Sequence, residues 1–194
     1  MNHRYTVRAL LLAASIVLLA GCGNLGAPDV MRMGAAPAVV AVVPGPPFTA
    51  VERDFVTRVA MKNVYEVEVS KLAMDKAMSP MVREFARTMV AHHMQESDEL
   101  VALMSAHGVA PPRGLAADKA TKLHRLAALP RSDAFDNGYI RVVGIEDHRA
   151  AIAQFEKARR EVRDRDLRAW IERTLIVLRT HLAMAQSAAA SLAG

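Results

Sequence analysis

Four long stretches of this chain carry apolar side chains at three- and four-residue spacing, and each stripe is interrupted once by an ionisable residue. That pattern constrains the fold more than any other feature, because such a period is one face of an amphipathic helix. The first stripe is Phe55, Val59, Ala73 and Ala77, with Glu66 about 20° from its line at 100° per residue. The second is Phe85, Met89, Val90, Leu100 and Met104, with His93 in its middle. The third, Val142, Ile145, Ile152 and Phe155, has His148 in its gap, and the fourth, Leu167, Ile171, Thr174, Leu178, Ala185 and Leu192, has His181. A polar group buried without a partner costs about 1–3 kcal/mol. Each of the four therefore predicts one.

Helix punctuation divides the chain accordingly. Thr49 and Glu52 match a T-x-x-E capping box, so a first helix starts there and runs to about Met78. Ser79-Pro80 supplies the next N-cap and a proline at the first helical position, and Gly108 follows His107 as a C-terminal stop. Between Val109 and Pro130, a connection with Pro111, Pro112 and Gly114 leaves room for one short helix, about Asp118 to Ala128. Ser132 caps a third long helix to about Val162, and Asp164 or Asp166 opens a fourth to about Leu192. The expectation is an all-α, antiparallel four-helix bundle over residues 50–194.

Height along the helices decides whether the four polar residues meet. Glu66 lies 13 residues before Ser79 and His93 lies 14 after it, which at about 1.5 Å per residue puts both at nearly one level. His148 and His181 match across the second turn to within roughly one helical turn. One layer of a Glu and three His is then expected at the waist of the bundle. It is either a hydrogen-bonded network that fixes register, or a mononuclear site for Zn, Cu or Fe. His92 falls beside the stripe in an exposed position, and "HHM" with Met94 carries a weaker copper signal.

The N-terminus reads differently. Arg4 and Arg8 precede an unbroken apolar run from Ala9 to Ala20, the composition of a secretory signal too short to span a bilayer. "LAGC", Leu19 to Cys22, resembles a lipobox, so residues 1–21 are expected to be a lipoprotein signal peptide and Cys22 the lipidated residue, which also accounts for the only cysteine. Gly23 and Asn24 lack the aspartate of inner-membrane retention, which points to a lipid-anchored envelope protein facing the periplasm from the outer membrane. Residues 22–49 hold five of the nine prolines and form a Pro/Gly/Ala-rich tether with a reach of roughly 30 Å.

The stretches "YEVEVSKLA", "REFARTMVAHHMQESDEL", "AFDNGYIRVVGIEDHRAAIAQFE" and "LRAWIERTLIVLRTHLAMAQ" resemble the bacterial domain-of-unknown-function family 4142 over about Asp54 to Ala188. Glu66, His93, His148 and His181 all match its pattern, while His92 stands where the family often has an acid. The resemblance implies a ferritin-like helical domain of exported proteins and lipoproteins, and no biochemistry. A di-iron centre does not fit, because Glu-x-x-His is required on two helices and Val90, Ile145 and Leu178 occupy those places.

Removing residues 1–21 leaves 23 basic and 20 acidic side chains, so charge does not call for nucleic acid. Hydrolase and nucleotide signatures such as G-x-S-x-G, H-E-x-x-H and the P-loop are missing, and no catalytic residue is assigned. Lys157, Arg159, Arg160, Arg163, Arg165 and Arg168 surround the last turn, interleaved with acids: a solvated turn, or a surface for an anionic envelope polymer or a periplasmic protein. The expected role is a non-enzymatic binding or envelope-maintenance module, the alternative a metal-binding or redox protein.

Overall fold

Thr49 starts the first helix through a reciprocal cap. Its hydroxyl accepts the Glu52 N–H, while its own N–H and O–H both reach Glu52 Oε2 at 2.8 Å. The computed structural model describes residues 45–194, which lie within one unit; the proposed signal peptide, Cys22 and most of the tether fall outside the described residues. Helix α1 spans Ala50–Lys76, α2 Pro80–Ala106 and the short α3 Ala117–Ala128. The third rod is α4, Asp133–Tyr139, then a π-helical segment, Ile140–Asp147, then α5, His148–Glu161; α6 is Arg165–Leu192. No strand occurs among the described residues.

The turns are closed by side chains the sequence placed nearby and by one it did not. Asp164 accepts the Leu167 N–H at 2.8 Å and opens α6. Ser79 makes no cap bond of its own. Instead the buried carboxylate of Asp136, from α4, accepts the Met78 N–H at 3.1 Å and the Ser79 N–H at 2.7 Å. Gly108 takes φ +69°, the left-handed conformation that ends a helix with least strain in glycine.

At one end the chain, α2 and the α5–α6 turn are knitted together. Gly45 N–H bonds the Ala106 carbonyl, His107 Nδ1 donates to the Pro46 carbonyl, and Phe48 stacks on His107 with ring centroids 3.9 Å apart. Glu52 Oε1 accepts the N–H groups of Arg163 and Asp164, both at 2.8 Å.

The α1 and α2 stripes are buried as their period requires, apart from half-buried Val90. The third rod departs from its expected stripe. Val142, Ile145 and Ile152 are only half-buried, and Val143, Gly144, Asp147 and Ala151 are buried in their place. The cause is the π segment, whose wider turn rotates the face by about one residue relative to a 3.6-residue count. Gly144 is then pressed against α6, where an added Cβ would lie 2.6 Å from the Ala185 Cβ.

The apolar core comes in two parts. One gathers Phe55, Leu100, Met104, Phe155, Trp170 and Leu178; the other gathers Val69, Phe85, Met89, Tyr139, Val143 and Ala185. Between these two sets each rod buries polar side chains: Asn63 on α1, His93 and Glu96 on α2, Asp147 and His148 on the third rod, and His181 on α6.

Candidate metal centre

The layer between the two cores contains His93 of α2, His148 of α5 and His181 of α6, all fully buried. One ring nitrogen from each lies within 4.8 Å of the others. Ring centroids are 5.3 Å apart for His148 and His181, 5.5 Å for His93 and His181, and 5.9 Å for His93 and His148. Three sequence-predicted residues therefore converge.

Glu66 is also fully buried but is not among the atoms of that trio. Its Oε1 stands 2.9 Å from Lys62 Nζ, one turn earlier in α1, and its Oε2 has no partner. The α1 residue that reaches the imidazoles is Asn63, whose Oδ1 lies 3.3 Å from His93 Nδ1. The level count for α1 was thus about one turn high. The basic residues of the last turn are elsewhere: Lys157, Arg159, Arg160, Arg163, Arg165 and Arg168 are exposed at the bundle end.

In two of the three rings the outer nitrogen has a neighbour that defines its hydrogen. His148 Nδ1 is 2.9 Å from the Val143 carbonyl, which can only accept, so in a neutral ring the hydrogen sits on Nδ1 and Nε2 presents a lone pair. His93 Nδ1 faces two acceptors, Asn63 Oδ1 and Glu96 Oε2, each at 3.3 Å, and its Nε2 has no partner. His181 stands between two imidazoles, with Nδ1 3.3 Å from His148 Nε2 and Nε2 2.8 Å from His92 Nδ1.

Electrostatics keeps two of these rings uncharged. Burial lowers His148 to about 3, helped by the charges of Lys62 and His93 against the opposing Val143 carbonyl. Burial also lowers His181 to about 2, with His93, His148, His92 and Lys62 adding to the effect. Imidazoles must be neutral to ligate a metal, so at neutral pH these two need lose no proton.

The residues that sequence reading passed over are Asn63, Glu96, Lys62 and His92 as a contact of His181. Glu96 follows His93 by three, and Asn63 precedes Glu66 by three, so both share a face with a residue already singled out. That spacing was the available signal. The His92 contact had none, since it depends on where α6 crosses α2.

Fold and site together define a helical-bundle protein with an imidazole cluster buried at its waist. The family model described as "Domain of unknown function (DUF4142)" matches residues 38–188, and the chain belongs to that family. No curated protein matches it. Among solved structures, it is similar to the crystal structure of a DUF305 fragment from Deinococcus radiodurans, with TM-score 0.66 and 16% identity over 75% of this chain and 99% of that one. At that identity the likeness is one of fold.

Proposed function

We propose that this protein is a metal-binding module that holds one transition-metal ion on His93, His148 and His181. One observation carries the reading: two of the three rings have their outer Nδ1 against acceptors, Val143 O for His148 and Glu96 with Asn63 for His93, so that Nε2 is the lone-pair nitrogen of each, met in His148 by another ligand candidate, His181 Nδ1, and in His93 by no partner. Histidines that ligate metals are oriented by such carbonyl or carboxylate contacts. A network built only to fix register has no reason to leave His93 Nε2, Asn63 Nδ2, Glu96 Oε1 and Glu66 Oε2 buried without partners. Three imidazoles suit Zn(II), Cu(II) or Fe(II), and a buried carboxylate nearby offsets part of the ion's charge.

Elemental analysis of the chain from Gly23 onward, purified without a His tag, tests this. Near-stoichiometric metal that disappears in both His93→Ala and His148→Ala is expected. A parent that stays empty after exposure to Zn(II), Cu(II) and Fe(II) makes the layer architectural.

The setting of the module is part of the same proposal. Arg4 and Arg8, the Ala9–Ala20 run and Leu19–Cys22 support a lipid anchor on Cys22 and a periplasm-facing position in the cell envelope, by preference at the outer membrane. No described helix is long and apolar enough to cross a membrane. The exposed basic turn supports contact with an anionic envelope polymer or a periplasmic protein; salt-dependent binding to isolated cell wall, lost when Arg159, Arg160 and Arg163 become Ala, is the check.

A further inference from the structure

We infer that His92 is a positioning residue for the metal site: it accepts the hydrogen of His181 Nε2 and so turns the lone pair of His181 Nδ1 toward the trio. The inference rests on the metal-binding reading and concerns how the third ligand becomes available.

His148 Nδ1–H is committed to the Val143 carbonyl, so its Nε2 is a lone pair facing His181 Nδ1 at 3.3 Å. Without a metal, that contact is favourable only if His181 carries its hydrogen on Nδ1 and donates it to His148 Nε2. His181 Nε2 is then an acceptor, and the 2.8 Å contact makes His92 Nδ1 the donor. A directed chain results: His92 to His181, His181 to His148, His148 to Val143.

In that arrangement His181 offers the trio a hydrogen, not a lone pair. A metal needs the opposite tautomer. His181 must carry its hydrogen on Nε2, and His92 must then accept on Nδ1 and hold its own hydrogen on Nε2. Each ring keeps one hydrogen throughout, so the change is a double tautomer exchange with solvent water and releases no net proton. His148 and His93 need no such change, because acceptors already fix their Nδ1 hydrogens.

The position of His92 suits this role. It is exposed on α2, its ring lies edge to edge with His181, centroids 5.1 Å apart and planes within 18°, as an in-plane hydrogen bond requires, and it lines a surface groove of about 270 Å³ with Glu96, Glu99 and Thr174. Solvent therefore reaches the outer ring of the pair while the inner one stays buried.

Zinc is the probe, because it permits NMR of the ring nitrogens. In the chain from Gly23 onward at pH 8, long-range ¹H–¹⁵N correlation spectra should show His181 and His92 with hydrogen on Nδ1 when metal-free and on Nε2 after one equivalent of zinc. His92→Ala should weaken zinc binding by about 10- to 100-fold, the usual effect of removing a ligand's outer hydrogen-bond partner. His92→Gln, whose side-chain oxygen can accept from His181 Nε2, should recover most of that loss. A His181 that holds its hydrogen on Nε2 in both states, or a His92→Ala variant that binds zinc like the parent, overturns the inference and leaves the metal site standing. A parent that takes no zinc removes the metal-binding reading itself, and this inference with it.

Discussion

Two buried polar clusters in this bundle are built on opposite terms. At the bundle end, Glu52 is almost fully buried, and both its oxygens are used: Thr49 donates twice to one, and Arg163 and Asp164 donate to the other. Burial alone would raise this carboxyl, yet the N–H groups of Asp164 and Thr49, the Thr49 hydroxyl and the Arg163 N–H hold it at about 2. At the waist, His93, Asn63, Glu66 and Glu96 are equally buried, and each keeps an atom with no partner. A cluster with every bond made holds elements together. One that leaves a ring nitrogen and carboxylate oxygens bare is suited to receive something, at some cost to the stability of the empty protein.

The largest expected effect breaks the first cluster. Glu52→Ala removes the acceptor that four donors face, and chemical unfolding followed by Trp170 fluorescence should report a loss of about 3–5 kcal/mol. Zinc affinity measured under native conditions should be unchanged, which is the sharper half of the prediction. Next, zinc at 100 times its dissociation constant should stabilise the parent by about 2.7 kcal/mol, and His148→Ala should abolish that gain.

Gly144→Ala joins packing to the site. The added methyl would meet Ala185 at 2.6 Å and the Phe85 ring at 3.3 Å, neither of them the end of a flexible chain. A loss of about 2 kcal/mol is expected from overpacking, and zinc binding should weaken as the rods carrying His148 and His181 move apart. Normal stability with normal zinc binding would show that the contact relaxes freely.

A pH series, whose effect comes in gradual steps, separates the clusters. The unfolded chain takes up protons on His148 and His181 near pH 6.5, whereas the folded rings resist to about 3 and about 2. Stability from these rings is complete above pH 6.5 and falls below it, by about 1.4 kcal/mol per pH unit for each ring. Glu52 has its folded value lowered from 4.5 to about 2, so its contribution persists through that range and is lost only as pH falls from 4.5 toward 2. Urea midpoints at pH 7, 6 and 5 should fall steadily in the parent, and the slope should shrink in His148→Leu. A flat profile from pH 7 to 5 would mean the rings are not held neutral.

Regular helix made most of this legible in advance. The cap at Thr49, the Gly108 stop and the buried stripes of α1, α2 and α6, apart from half-buried Val90 and Leu192, follow from local chemistry and a 3.6-residue period. The third rod did not obey that period, because its π segment adds a fraction of a residue per turn where Gly144 meets Ala185. Sequence counting named His148 nonetheless, since the polar residue stands out among apolar neighbours whichever way the face turns. The α1 contribution slipped by a turn, from Glu66 to Asn63, because level counting assumes a symmetric hairpin. Contacts that arise only when two rods cross, such as His92 with His181, have no local signature at all.

The clasp at Gly45 has a mechanical consequence. A pull on the residues ahead of Gly45 meets the Phe48–His107 stack and the Gly45–Ala106 bond before it meets the first turn of α1. His107 belongs to the end of α2 and lies 3.7 Å from Asp164 at the start of α6, so load entering there is spread over three helices at once. Gly45 leaves no space for a side chain, since a Cβ would sit 2.8 Å from the His107 ring. The waist of the bundle, 13 to 17 residues further along each rod, is thereby insulated from tension on the N-terminal segment.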